Sequence, residues 1–268
     1  MTAMARSFLF VPGDRPDRFP KAWNSGADAV ILDLEDGVSA DRKSLALEAV
    51  SAWLSPEHPV YVRVNGSRTQ WFEADLAALA RPGVLGVMLP KAETASQIGA
   101  VARALQEGVC VVPLLETVPG IMNVRELAGA PRVTRLAFGS VDFQLDAGIQ
   151  GEGEELLYVR SRLVLASRAS GILAPVDGVT TDLDNPERIA ADVDRARRLG
   201  FGGKLCIHPR QIDPVNRGFI PTEREIAWAR KVVDAARTSG TGAIRVDGEL
   251  VDRPVVERAK VILGQAER

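Results

Sequence analysis

The chain has 268 residues and a formal net charge of −2; 46% of its residues are hydrophobic and 25% charged. This length suits a single (β/α)₈ barrel, and the balance of apolar and charged residues excludes disorder except at the termini. Arginine is spread without a basic stripe, so no nucleic-acid surface is expected, and no apolar run reaches the roughly 18 residues of a membrane span.

The predicted elements begin directly. Residues 1–12, MTAMARSFLFVP, run into a strand without a small-residue cleavage site, so they read as the start of a cytoplasmic chain and not as a signal peptide. Strand-like apolar runs follow at 7–12, 29–35, 60–65, 84–90, 110–116, 133–139, 171–177 and 203–208. Between them, 40–54, 69–80, 94–107, 155–169 and 186–199 repeat Ala and Leu at helical spacing. Thr94 and Asn185-Pro186-Glu187 mark helix starts, and Gly200 after Arg197-Arg198-Leu199 marks a stop. Strand and helix in strict alternation imply right-handed crossovers and a parallel sheet. Eight repeats favour closure into a TIM barrel over residues 1–220; a doubly wound open sheet is the alternative, because periodicity cannot show closure. Residues 221–268 form an extension: a helix at 222–237, a Gly/Thr/Ser-rich break at 238–243, a strand-like stretch at 243–251 and a last helix at 252–266. Such an appendage is expected to cover the active-site mouth or meet a neighbouring subunit.

Charges are costly inside strands buried on both faces, so their position is informative. Here they gather at the carboxyl ends of the runs: Glu35, Asp36, Arg63, Asn65, Lys91, Glu116, Asp142, Asp177 and His208. A barrel directs all of these ends to one mouth. Glu116 either enters that mouth or caps the next helix, and Asp142 is a site residue or a turn aspartate. Together, two carboxylates from adjacent strands can share a magnesium ion and leave positions for substrate oxygens. A hard cation is the expected type, because His58, His208, Cys110 and Cys206 cannot build a His-rich zinc site. The two cysteines read as buried thiols. Arg63 suits a substrate carboxylate, or neutralises Glu35 or Asp36. Asp36 orders metal-bound water or forms a salt bridge. Lys91 pairs with Glu35 or, less favoured, attacks a carbonyl as a Schiff-base amine. Arg15, Arg18 and Lys21 after the first strand either receive phosphates or form a solvated turn; the spacing is not that of a P-loop. Gly200, Gly202 and Gly203 precede a strand where a nucleotide fingerprint would follow one. His208 reads as a structural residue of the mouth more than as a base.

With SFLFVPGDRPDRFPKA (7–22), VILDLEDGV (30–38), VYVRVNG (60–66), LLET (114–117), FGSVD (138–142), PVDG (175–178) and GKLCIHPRQI (203–212), the chain resembles the HpcH/HpaI aldolase and citrate lyase β-subunit family. The resemblance spans nearly the whole chain. It implies a TIM barrel that cleaves or forms a C–C bond in a β-hydroxyacyl thioester, usually of coenzyme A, giving an acyl-CoA and a 2-keto acid. By motif, Glu116 and Asp142 resemble magnesium ligands, Arg63 a contact to the substrate carboxylate or oxyanion, and Asp36 an acid behind them. Arg15 and Lys21 fall where relatives meet coenzyme A phosphates, and Pro175 and Val176 match a backbone stretch lining the thioester arm. In RVDGELVDRP (245–254), Asp252 resembles an acid/base that enters a neighbouring subunit's site, with Asp247 as rival and a helix N-cap as the plain alternative. The resemblance further implies a homo-oligomer, with a trimer expected. Two other readings stay open: an acyl-CoA thioesterase on the same magnesium site, and a non-autonomous β-subunit working on an acyl-carrier protein.

Overall fold

The computed structural model describes residues 5–239 and 243–266. Eight parallel strands close into a barrel: β1 (Ser7–Pro12), β2 (Ala29–Asp33), β3 (Val60–Arg63), β4 (Val84–Leu89), β5 (Cys110–Leu115), β6 (Ala137–Phe138), β7 (Val176–Asp177) and β8 (Gly203–Cys206). Closure is a matter of register: Ser7, Phe8 and Leu9 pair with Lys204, Leu205 and Cys206, joining the first strand to the last. The open-sheet alternative is thereby excluded.

The helices return the chain between strands. They are α1 (Phe19–Trp23), α2 (Lys43–Trp53), α3 (Phe72–Leu79), α4 (Ala95–Ala104), α5 (Val118–Met122), α6 (Val124–Ala128), α7 (Ser140–Ala147), α8 (Leu157–Ala169) and α9 (Pro186–Leu199). The predicted punctuation is present. Thr94 forms a reciprocal capping box with Gln97, Asn185 caps α9 at Glu187 and Arg188, and Gly200 ends α9 at φ 100°. The barrel interior is filled from several strands, with Phe8, Ile31, Tyr61, Met88, Leu114 and Leu205 in one cluster.

Several strands are shorter than predicted. β2 ends at Asp33 and β3 at Arg63, so Glu35 and Asn65 stand beyond the sheet, where their polar groups find partners. β6 and β7 keep only two residues each of the runs 133–139 and 171–177. Before β6, Arg135 turns inward and donates to the carbonyls of Ala5 and Ala174, taking over bonds a longer ladder would make.

By internal contacts the chain divides at Asn216/Arg217. The helix α10 (Ile212–Gly218) lies at this division. The second unit contains α11 (Glu223–Ser239), β9 (Ile244–Val246), β10 (Glu249–Val251) and α12 (Arg253–Ala266). Its own core is Ala229, Val232, Val233, Val251 and Ala259. The expected single strand at 243–251 is instead an antiparallel hairpin, turned by Asp247 (φ 48°) and Gly248 (φ 90°). Residues 240–242, part of the expected break at 238–243, lie outside the described residues. Among the described residues no helix is long and apolar enough to cross a membrane.

Candidate active site at the carboxyl end of the barrel

Glu116 is the residue after β5, and Asp142 stands in the first turn of α7, directly after β6. Since β5 and β6 pair at Leu114–Ala137 and Leu115–Phe138, the two carboxylates come from neighbouring strand ends. Glu116 is only 2% exposed. Its Oε1 accepts the Lys91 N–H at 2.8 Å. Gly139 leaves room on its other side: a Cβ there would come 2.5 Å from Glu116 Oε2 and 2.6 Å from Glu116 Cβ. Burial, then the charges of Glu35 and Asp142, push Glu116 up to about 8, against Arg63 and the Lys91 N–H. Glu116 thus feels the charges of two further carboxylates, Glu35 and Asp142, which Arg63 offsets only in part.

Arg63, at the end of β3, lies beside them with its side chain 12% exposed. Its Nε and Nη2 donate to the two oxygens of Asp33, each at 2.6 Å, and Nη1 is 3.0 Å from Glu35 Oε2. Its ring neighbour is Phe10, 4.7 Å from the guanidinium carbon. Asp33 is the residue that sequence reasoning missed. It also accepts from the N–H groups of Glu35 and Gly37, so it ties the end of β2 to the end of β3. Of the two partners expected for Arg63, Glu35 is found and Asp36 is not: Asp36 is exposed and lies 3.4 Å from Lys91. Asp33 pairs in register with Arg63 at the last residue of β2, and spacing alone does not single it out from Glu35 and Asp36.

The Lys91 ammonium donates to Glu35 at 2.5 Å. Burial opposes this charge, but the bond to Glu35 and the charges of Glu35, Glu116 and Asp36 outweigh it and raise the Lys91 pKa. A protonated amine so held is no nucleophile, which removes the Schiff-base alternative. Lys43 also belongs to this group: its ammonium donates to the carbonyls of Leu34 and Glu35 at 2.6 and 2.7 Å, fixing the turn after β2.

The other predicted residues are dispersed. Arg15 pairs with Asp17 at 3.0 Å, Lys21 is exposed on α1, and Arg18 is exposed beside them. Pro175 and Val176 are not brought to the mouth. The Pro175 carbonyl accepts from Gly202, the Val176 N–H donates to Leu136, and the Val176 side chain lies in the barrel core. Their backbone groups are committed to closing the sheet. His208 caps the turn at Pro209–Gln211, its Nδ1 accepting the Arg210 N–H. Asp177 is fully buried against Arg160 at 2.9 Å, with Lys204 donating to the Gly178 carbonyl nearby. In the second unit, Asp252 is exposed and its Oδ1 accepts the Val255 N–H at 3.3 Å, at the start of α12. Asp247 is paired with Lys231 at 2.9 Å in the hairpin turn.

Among the described residues no three His, Cys, Asp or Glu side chains are grouped as a ready metal cage. The pair Glu116 and Asp142 fits a different type of site, in which one or two carboxylates hold a hard cation whose remaining positions go to water and substrate. The electrostatics agree, since a dication is the group that would relieve the crowding at Glu116.

Comparison with known proteins gives the same direction. A citrate lyase subunit beta-like protein of Deinococcus radiodurans is 39% identical over 277 residues, covering 97% of each chain. A (3S)-malyl-CoA thioesterase of Cereibacter sphaeroides is 34% identical over 271 residues, covering 98% of this chain and 94% of its own. Among solved structures, the protein CitE from Mycobacterium tuberculosis in complex with magnesium, acetoacetate and coenzyme A superposes with a TM-score of 0.89 at 35% identity, each chain covered completely. The HpcH/HpaI aldolase/citrate lyase family profile matches residues 6–209, the span that holds the barrel and the carboxylate cluster, and the chain belongs to that family.

Proposed function

We propose that this lyase-type enzyme is a magnesium-dependent carbon–carbon lyase acting on a β-hydroxyacyl-CoA, released as an acyl-CoA and a 2-keto acid. The observation that carries the reading is the buried Glu116 carboxylate, raised by burial and by the charges of Glu35 and Asp142, at the mouth of a closed barrel. Support for the substrate class comes from CitE, whose complex holds magnesium, acetoacetate and coenzyme A, and from the thioesterase relative named for malyl-CoA.

Glu116 and Asp142 are the proposed ligands. Bound between them, a divalent cation would polarise the substrate oxygens and offset negative charge developing there. Arg63 would add a fixed positive charge, held in orientation by Asp33 and Glu35, toward the carboxylate or oxyanion of the acid half. Asp36 would order solvent at the rim. Arg15 and Lys21 would meet the phosphates of coenzyme A. In cleavage the hydroxyl would give its proton to the solvent ordered at the rim, the C–C electron pair would pass to the thioester as its enolate, and the keto acid would be left behind. Asp252 would then protonate the enolate carbon, and in condensation take that proton away. We place Asp252 in the second unit of a neighbouring copy within a homo-oligomer, a trimer by our expectation.

A second reading is favoured by the malyl-CoA thioesterase relative: water would attack the thioester at the same centre. We keep as a third a β-subunit that works on an acyl-carrier protein, beside the relative named as a citrate lyase subunit beta-like protein. Product analysis on malyl-, citramalyl-, citryl- and hydroxymethylglutaryl-CoA separates them. The proposal requires acyl-CoA plus keto acid from at least one. Free coenzyme A with intact hydroxy acid would establish hydrolysis instead, and no turnover of any CoA thioester would favour the subunit reading.

A further inference from the structure

Lys91 follows β4 and Pro90 and holds a backbone conformation that side-chain-bearing residues avoid, at φ 49°. Among the described residues only Arg132 and Asp247 share a positive φ without being glycine. This turn points two groups of one residue in different directions. The N–H donates to Glu116 Oε1 at 2.8 Å, and the ammonium donates to Glu35 Oε1 at 2.5 Å. Glu35 is itself anchored, because its Oε2 lies 3.0 Å from Arg63 Nη1 and Asp33 grips Arg63 from below with both oxygens. On its far side Glu116 meets the space left by Gly139.

The left-handed conformation is disfavoured by sterics and persists only where surrounding bonds over-determine it. Here the bond from Nζ to Glu35 is available to do so. The chain before residue 91 sets the direction of its N–H, and φ sets where the side chain leaves, so the left-handed turn lets one residue hold Glu116 with its N–H and Glu35 with its ammonium.

We infer that Lys91 is a positioning residue: Glu35 binds its ammonium, this bond pins residue 91 in its left-handed turn, and the N–H of the pinned residue orients Glu116 toward a divalent cation. The inference rests on the reading of Glu116 as a ligand. It differs in sign from a bystander role. A lysine that merely sits near a dication repels it, so its removal would tighten metal binding; a lysine that aims the ligand weakens binding when lost.

The test is calorimetric titration of the full-length protein with Mn²⁺ alone, comparing wild type with Lys91→Met, Lys91→Arg and Lys91→Gly. Lys91→Met should bind roughly tenfold more weakly or worse, the scale expected when a group orienting a metal ligand is lost. Lys91→Arg, which keeps the cation, should recover most of the affinity. Lys91→Gly should fall between wild type and Lys91→Met, because glycine adopts φ 49° without penalty and keeps the N–H. Glycine also guards against a variant that fails only by misfolding. Binding by Lys91→Met as tight as wild type, or tighter, overturns the inference, as does Lys91→Gly binding more weakly than Lys91→Met. Both results would leave Glu116 as a ligand. Wild type that binds no Mn²⁺ overturns the ligand reading as well.

Discussion

Glu116 has a consequence that does not require substrate. Its carboxyl is raised from 4.5 to about 8 in the folded chain, so the folded state holds a proton that the unfolded state releases. Stability from this group is therefore complete below pH 4.5 and is lost as pH rises toward 8. In metal-free protein, Glu116→Gln, which cannot ionise, should melt higher than wild type at pH 8 and lose that advantage near pH 5. Thermal melts across this range check it; parallel curves for the two proteins would contradict the assigned burial. At this scale the sequence was informative wherever a charge closed an apolar run, which is why Glu116, Asp142 and the Lys91–Glu35 pair could be named. Asp33 escaped because LDLED carries three acids within four residues, and only the observed end of β2 shows which of them faces Arg63.

The same site depends on how strand ends and helix starts meet. Gly139 sits between β6 and α7, and a methyl group there would collide with Glu116. Gly139→Ala should leave the barrel folded, by circular dichroism, while weakening divalent-cation binding by roughly tenfold or more. Retained affinity would show that Glu116 need not be held where it is. A separate tie joins β7 to α8 through Asp177 and Arg160, both almost fully buried. Asp177→Ala should cost about 3–5 kcal/mol in chemical denaturation, because the buried Arg160 then loses its ion-pair partner. A loss under 1 kcal/mol would mean that water reaches the pair. Neither device could be read from pattern alone: helical and strand periods report which face is apolar, not which polar groups meet inside. The hairpin β9–β10 was legible in principle, since Asp247-Gly248 between apolar residues is a two-residue turn signal.

For the molecule as a whole, alternation of strand and helix carried the architecture, and closure was the part it could not carry. Register decides closure, and it appears only when Ser7 pairs with Lys204. The second unit raises the question of where Asp252, the proposed acid, would work. Mixing Asp252→Ala protomers with Glu116→Gln protomers should restore turnover that neither variant has alone, if Asp252 serves a neighbouring copy. No recovery would place its action within one chain. The mixing experiment presupposes the central claim, that Glu116 and Asp142 hold one hard cation on which C–C bond cleavage depends. The most direct measurement is the rate of keto-acid release from the CoA thioesters after chelation and after magnesium is returned. The rate should fall to background and then recover in wild type, and should stay at background in Glu116→Gln and Asp142→Asn. Turnover that survives chelation, or that persists in either variant, would contradict the account.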